Sequence, residues 1–107
     1  MKQLSCQELA AWLHDATRTP PLLLDVREAI EFKHCHLANS LHMPMHTVPV
    51  RLAELPQDQE IVAICHHGGR SAQVAWFLES RGYASVYNLS GGVEAWACEI
   101  DPNMPRY

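Results

Sequence analysis

The most reactive arrangement in this sequence is a cysteine that ends an apolar run and is followed by two glycines, an arginine and a serine. It reads Ile61-Val62-Ala63-Ile64-Cys65-His66-His67-Gly68-Gly69-Arg70-Ser71. The apolar run predicts a buried strand, and ligands of open α/β sheets collect at strand carboxyl ends. Gly68-Gly69 demands a loop, and the amphipathic stretch 71–80 predicts a helix directly behind it. Loop amides and the positive end of that helix dipole then face the Cys65 sulfur. Free cysteine titrates near ~8.5, whereas cysteines at helix N-termini fall to roughly 3.5–7.5. Cys65 is therefore expected to be a thiolate nucleophile, and the same amides suit a persulfide or a departing anion.

The neighbours take supporting roles. Gly68 and Gly69 permit the tight backbone that a cradle of amides needs. Arg70 is expected to turn its fork of donors to an oxyanion held over the loop, and Ser71 to cap the helix. His66 or His67 could add a donor or a positive charge over the pocket, the alternative being that both face solvent. A buried structural cysteine is the plain alternative, but such a cysteine has no need of Gly-Gly-Arg-Ser behind it.

The elements that position this loop follow from hydrophobic pattern. Ser5 with Glu8 forms a capping box ahead of a helix with Leu9, Trp12 and Leu13 on one face. Residues 22–26 and 60–65 read as strands buried on both faces, 40–44 as a brief strand ended by Pro44, and 85–89 as another strand. Residues 28–34 read as a short helix, 48–55 as a helix, and 93–100 as a last helix carrying Trp96. The tail 101–107 has two prolines and no periodicity. Strands alternating with helices imply a parallel sheet covered on both faces, and 107 residues without repeat or linker imply one domain, 1–107.

Composition narrows the partners. Eight Lys and Arg against twelve Asp and Glu, a net charge of −4, argue against nucleic acid. The apolar runs are too short to span a bilayer, and the first residues lack the apolar stretch of a secretory signal. Four cysteines without a C-x-x-C pair suit a reducing cytoplasm rather than a disulfide scaffold.

The loop resembles the rhodanese active-site pattern Cys-x-x-Gly-x-Arg-Ser at every fixed position. Leu23-Leu24-Asp25-Val26-Arg27-Glu28, with Glu31-Phe32 after it, resembles the first element of that family. His36-Leu37 and Met43-Pro44 resemble the second, and Tyr87 to Trp96 the last. Cys35 and Asn39 stand where the family usually has glycine; asparagine tolerates the left-handed backbone best after glycine, so Asn39 is expected to keep the turn. The resemblance implies an α/β, rhodanese-like fold, a five-stranded parallel sheet with helices on both faces. It implies a thiosulfate sulfurtransferase-type enzyme without cofactor, moving sulfane sulfur by double displacement through a Cys65 persulfide. Its partners would be a small sulfane-sulfur donor and a thiol or cyanide acceptor, including a sulfur-relay protein. Asp25 and Arg27 are expected to fix local loops through hydrogen bonds and an ion pair, and Cys35 is left open as a second thiol.

Other classes fit less well. Phosphatase and arsenate reductase loops of related fold place five residues between Cys and Arg, and here four separate Cys65 from Arg70. Seven histidines include His34-Cys35-His36 and His66-His67, but adjacent residues point in different directions and zinc spacing is absent, so no metal site is expected. A non-catalytic interaction module of this fold would be expected to lose Cys65 or Arg70.

Overall fold

The computed structural model describes residues 1–107. Five strands, β1 (Lys2–Leu4), β2 (Leu22–Asp25), β3 (Leu41–His42), β4 (Ile61–Ile64) and β5 (Val86–Leu89), form one sheet in the order β1-β5-β4-β2-β3. All neighbours pair in parallel. Four helices accompany them: α1 (Cys6–His14), α2 (Ala29–His34), α3 (Gly69–Ser80) and α4 (Gly92–Glu99). Every residue of the central strand β4 is buried, as its unbroken apolar run requires.

The sheet divides the core in two. On one face α1 and α4 bring Leu9, Trp12, Val93 and Trp96 against Leu23, Val62, Ile64 and Leu89. On the other, α3 and the segment before β4 bring Val74, Ala75, Leu78, Val48 and Leu55 against Leu24, Ile61, Ala63 and Val86. The α1 capping box is present, with Ser5 and Glu8 bonding each other's backbone. Chain connections leave β2 toward β3 and β4 toward β5, in opposite directions. The crevice between the carboxyl ends of β2 and β4 is thus the switch point where such sheets hold ligands.

One local expectation changes, one element is new, and two loop positions are settled. Residues 48–55 form no α-helix; Met45–Thr47 and Leu52–Glu54 are single 3₁₀ turns. Pro49 lies between them and has no N–H with which to join the turns into one ladder. The edge strand β1 carries no pattern that marks it, because three residues with only Leu4 buried give no alternation to read. Cys35 stands in place of glycine without strain, since its φ of −163° is ordinary extended backbone. Asn39 does adopt the left-handed turn, at φ 65°.

Gly92 is the glycine on which the two ends of the fold depend. Its φ is +58°, and a Cβ there would stand 2.3 Å from the carbonyl oxygen of Cys65 and 2.4 Å from that of His66. Gly69, two residues before Ser71, has nothing within 4 Å of the same position. Gly92→Ala is therefore expected to lose about 1–3 kcal/mol from backbone conformation alone, with the overlap adding to it. Gly69→Ala should stay within about 0.5 kcal/mol of wild type. Urea denaturation of both variants checks this, and equal midpoints would refute the close-approach argument.

Candidate active site

Cys65 follows β4 directly and is 1% exposed. The loop 65–68 turns back under α3, and its carbonyls are tied outward. The Val93 amide donates to the Cys65 carbonyl at 3.0 Å, and the Glu94 amide to the His66 carbonyl at 3.1 Å. With the carbonyls drawn to the start of α4, the amides turn inward. The Gly68 N–H donates to Cys65 Sγ at 3.0 Å, with Gly68 at φ +110°.

Ser71 corrects its sequence-based role. The helix starts at Gly69 with Gly68 as its cap, so Ser71 is the third helical residue and faces the sheet rather than capping. Its Oγ lies 3.2 Å from Cys65 Sγ and also meets Asn88 Oδ1. One hydroxyl proton serves one acceptor at a time, and a thiolate is the stronger claim on it. Asn88 is held by its own amide, which donates to Gln3 Oε1 at 3.0 Å and to the Gly68 carbonyl at 3.1 Å. Burial pushes the Cys65 thiol up, but the Ser71 hydroxyl and the amides of Ser71, Gly68 and His67 outweigh it and leave the thiol below its ordinary value.

Arg70 departs from expectation as well. It does not reach over the loop: Nη1 and Nη2 donate to Glu31 Oε1 and Oε2 at 2.7 and 2.9 Å. That pairing, with a smaller contribution from the Cys65 thiolate, holds the guanidinium above its usual range. It also holds the Glu31 carboxyl down to about 2, against burial and with help from Tyr107.

Asp25 and Arg27 form a fully buried pair, each 0% exposed, with Nε and Nη2 of Arg27 on the carboxylate at 2.9 and 2.7 Å. Arg27 Nη2 also donates to the Cys35 carbonyl at 2.6 Å, and Nη1 to the Tyr107 hydroxyl at 2.9 Å. His66 stacks on Tyr107 with centroids 3.9 Å apart and planes 10° apart, and its buried Nε2 has no partner. Burial, then His67, keeps the His66 imidazole below its usual range and so neutral. His67 packs tilted against His66.

The remaining thiols stand apart. Cys35 packs in the α1–α4 core with Sγ 3.9 Å from Arg27 Nη1, whereas Cys65 belongs to the core on the α3 side. The Cys6 thiol is pushed up to about 11 by burial and then by Glu99. No group of three or more His, Cys, Asp or Glu side chains converges as a metal site would need. The largest cavity, about 940 Å³ near Leu37, Trp96 and Met104, shares no lining residue with the Cys65 loop.

Three site residues carry little sequence signal. Asn88 has some, as a polar residue in an apolar strand that must find partners when buried. Glu31 stood out only as part of a family element, and Tyr107 lies in a tail without periodicity.

Comparison with known proteins agrees with this architecture. The family model for the rhodanese-like domain matches residues 5–99. A sulfurtransferase of Allochromatium vinosum is 41% identical over 76 residues, 71% of this chain and 71% of that protein. The thiosulfate sulfurtransferase GlpE of Pseudomonas savastanoi pv. phaseolicola is 35% identical over 75 residues, 70% of this chain and 71% of its own length. The crystal structure of a rhodanese-like domain protein from Staphylococcus aureus superposes with a TM-score of 0.85 at 29% identity, covering 100% of this chain and 99% of that one.

Ser71→Ala tests the thiolate's support. Removing the hydroxyl donor should raise the Cys65 thiol toward its ordinary value. The pH profile of iodoacetamide alkylation at Cys65 is expected to move upward, with slower alkylation at neutral pH. An unmoved profile would mean that the loop amides alone hold the thiolate.

Proposed function

The chain belongs to the rhodanese-like domain family, and we propose that it is a sulfurtransferase carrying sulfane sulfur as a persulfide on Cys65. The observation that carries this is the bonding of Cys65 Sγ: the Gly68 amide and the Ser71 hydroxyl both reach it, and its thiol lies below the ordinary range. Relatives named sulfurtransferase and thiosulfate sulfurtransferase support the same chemistry.

The reaction has two displacements. In the first, the Cys65 thiolate attacks the sulfane sulfur of a donor. With thiosulfate, the S–S bond to the sulfonate breaks, its electron pair leaves as sulfite, and Cys65 keeps the sulfur as a persulfide anion. In the second, an acceptor thiolate or cyanide attacks the outer sulfur, and the Cys65 thiolate is restored as a thiocyanate or a new persulfide departs. Charge balances in each step, and no cofactor or metal is needed.

The residues divide the work. Cys65 is the nucleophile and carrier. His66, His67, Gly68, Gly69 and Arg70 form the donor-binding loop, of which Gly69 and Arg70 offer first-turn amides that have no partner within α3. Ser71 stabilises the thiolate, while Asp25 and Arg27 fix the neighbouring loop. Four unpaired cysteines suit a reducing compartment, which makes the cytoplasm the proposed location. The acceptor is a thiol, of a small molecule or of a sulfur-relay protein. A phosphatase reading gains nothing from the loop, because Arg70 is already engaged by Glu31.

Intact mass after incubation with thiosulfate, paired with thiocyanate release on adding cyanide, tests this. Wild type is expected to gain one sulfur atom and turn over, and Cys65→Ser to do neither. A sulfur gain that survives Cys65→Ser would place the carrier elsewhere; no gain and no turnover by wild type would remove thiosulfate as a donor.

A further inference from the structure

Arg70 is the single cation of the catalytic loop, and both terminal nitrogens of its fork are spent on Glu31. Glu31 is in turn gripped from the far end of the chain: the Tyr107 hydroxyl donates to Glu31 Oε2 at 2.8 Å and accepts from Arg27 Nη1 at 2.9 Å. The Tyr107 ring lies flat on His66, the residue next to the nucleophile. Burial foremost, with Glu31 adding to it, pushes the Tyr107 hydroxyl up to about 12, so it remains a donor throughout the neutral range.

The other arginines near the mouth are also paired. Arg27 is matched by Asp25 and Arg106 by Glu94, as Arg70 is by Glu31, and His66 is held neutral. Lys33, which lines the pocket beside Glu31 and Tyr107, is in no ion pair, but it lies outside the Cys65 loop, whose one cation is engaged and which otherwise offers amides. A thiosulfate dianion that recruits Arg70 must first displace a bidentate carboxylate, which itself is held by Tyr107. A persulfide, R–S–SH, makes no such demand: the Cys65 thiolate takes its outer sulfur, the S–S bond breaks, and R–S⁻ leaves.

We propose that Glu31, latched by Tyr107, determines donor specificity by holding Arg70 off the sulfur pocket, so that small dianionic donors are disfavoured against persulfides carried on larger thiols. Glu31 and Tyr107 act here as positioning residues, through Arg70. The proposal rests on the sulfur-transfer reading, but its central consequence, the affinity for a dianion, can be measured without turnover.

The binding arm uses full-length protein with Cys65→Ser, titrated with sodium thiosulfate and followed by amide chemical shifts. Adding Glu31→Gln is expected to tighten binding by roughly twofold to fivefold, the scale of one freed surface ion pair. Tyr107→Phe, which keeps the stacked ring and removes only the hydroxyl, should tighten it in the same direction by less. The gain should disappear when Arg70→Gln is added, and should shrink at high ionic strength. Unchanged affinity in both variants, or a gain that survives Arg70→Gln, overturns the latch.

The transfer arm keeps Cys65 and follows sulfur uptake by intact mass from thiosulfate and from glutathione persulfide. The ratio of the thiosulfate rate to the persulfide rate should rise in Glu31→Gln and in Tyr107→Phe; a ratio that stays or falls in both counts against the latch. Wild-type protein that takes sulfur from neither donor overturns the sulfur-transfer function instead, and the binding arm still decides whether Glu31 restrains Arg70.

Discussion

Two hydrogen bonds, from the Val93 and Glu94 amides to the carbonyls of Cys65 and His66, turn the Cys65 loop the right way out. A loop leaving a strand can present either carbonyls or amides to the space above the sheet. Here the orphan amides at the start of α4 need acceptors, and they take the loop carbonyls. The peptide groups then have their N–H ends toward Cys65. This requires the Gly91-Gly92 turn to pass against the loop backbone, where any Cβ on Gly92 would overlap it. A turn more than twenty residues downstream thus shapes the field at the Cys65 sulfur. It does so through peptide orientation, with no side chain of its own.

The second constraint is the buried Arg27–Asp25 pair. Removing two charges from water costs several kcal/mol per ion, so such a pair is weak evidence of net stability. Its use here is placement. Arg27 reaches the carbonyls of Glu31 and Cys35 at the end of α2, where a cation also suits the helix dipole. α2 has six residues and none of them is fully buried, with Phe32 stacked on His36 and His42 as its main side-chain packing. Arg27 beneath it and Arg70 beside it add to that hold, and the position of Glu31 follows from both.

The pattern of the sequence makes the candidate nucleophile legible because strand, glycine loop and helix are contiguous around Cys65. The two residues that behave differently from expectation, Arg70 and Ser71, fail for separate reasons. Helix α3 begins two residues earlier than the apolar periodicity suggests, and that phase change takes Ser71 from the cap to the inner face. Arg70 is directed by a carboxylate 39 residues away, and no local pattern encodes such a pairing. The same holds for Tyr107, whose three contacts to Arg27, Glu31 and His66 exist only once the tail has folded back. The strand β1 escapes notice because its pairing with β5 rests on backbone bonds, and backbone bonds leave no mark in side-chain pattern.

Activating the thiol with dipoles rather than with a neighbouring cation suits the double displacement proposed above. The resting thiolate and the persulfide carry the same single negative charge, but the second bears it one S–S bond, about 2.05 Å, farther out. A fixed cation placed for the first position would favour it over the second and oppose the transfer. Amides from successive residues of a loop and helix start, with Gly68, His67 and Ser71 already at the sulfur, spread the positive potential over a wider region than one fixed cation does. They also need no reorganisation as the charge moves. Pairing Arg70 with Glu31 fits that proposed economy: it keeps the cation of the loop from trapping negative sulfur at either depth.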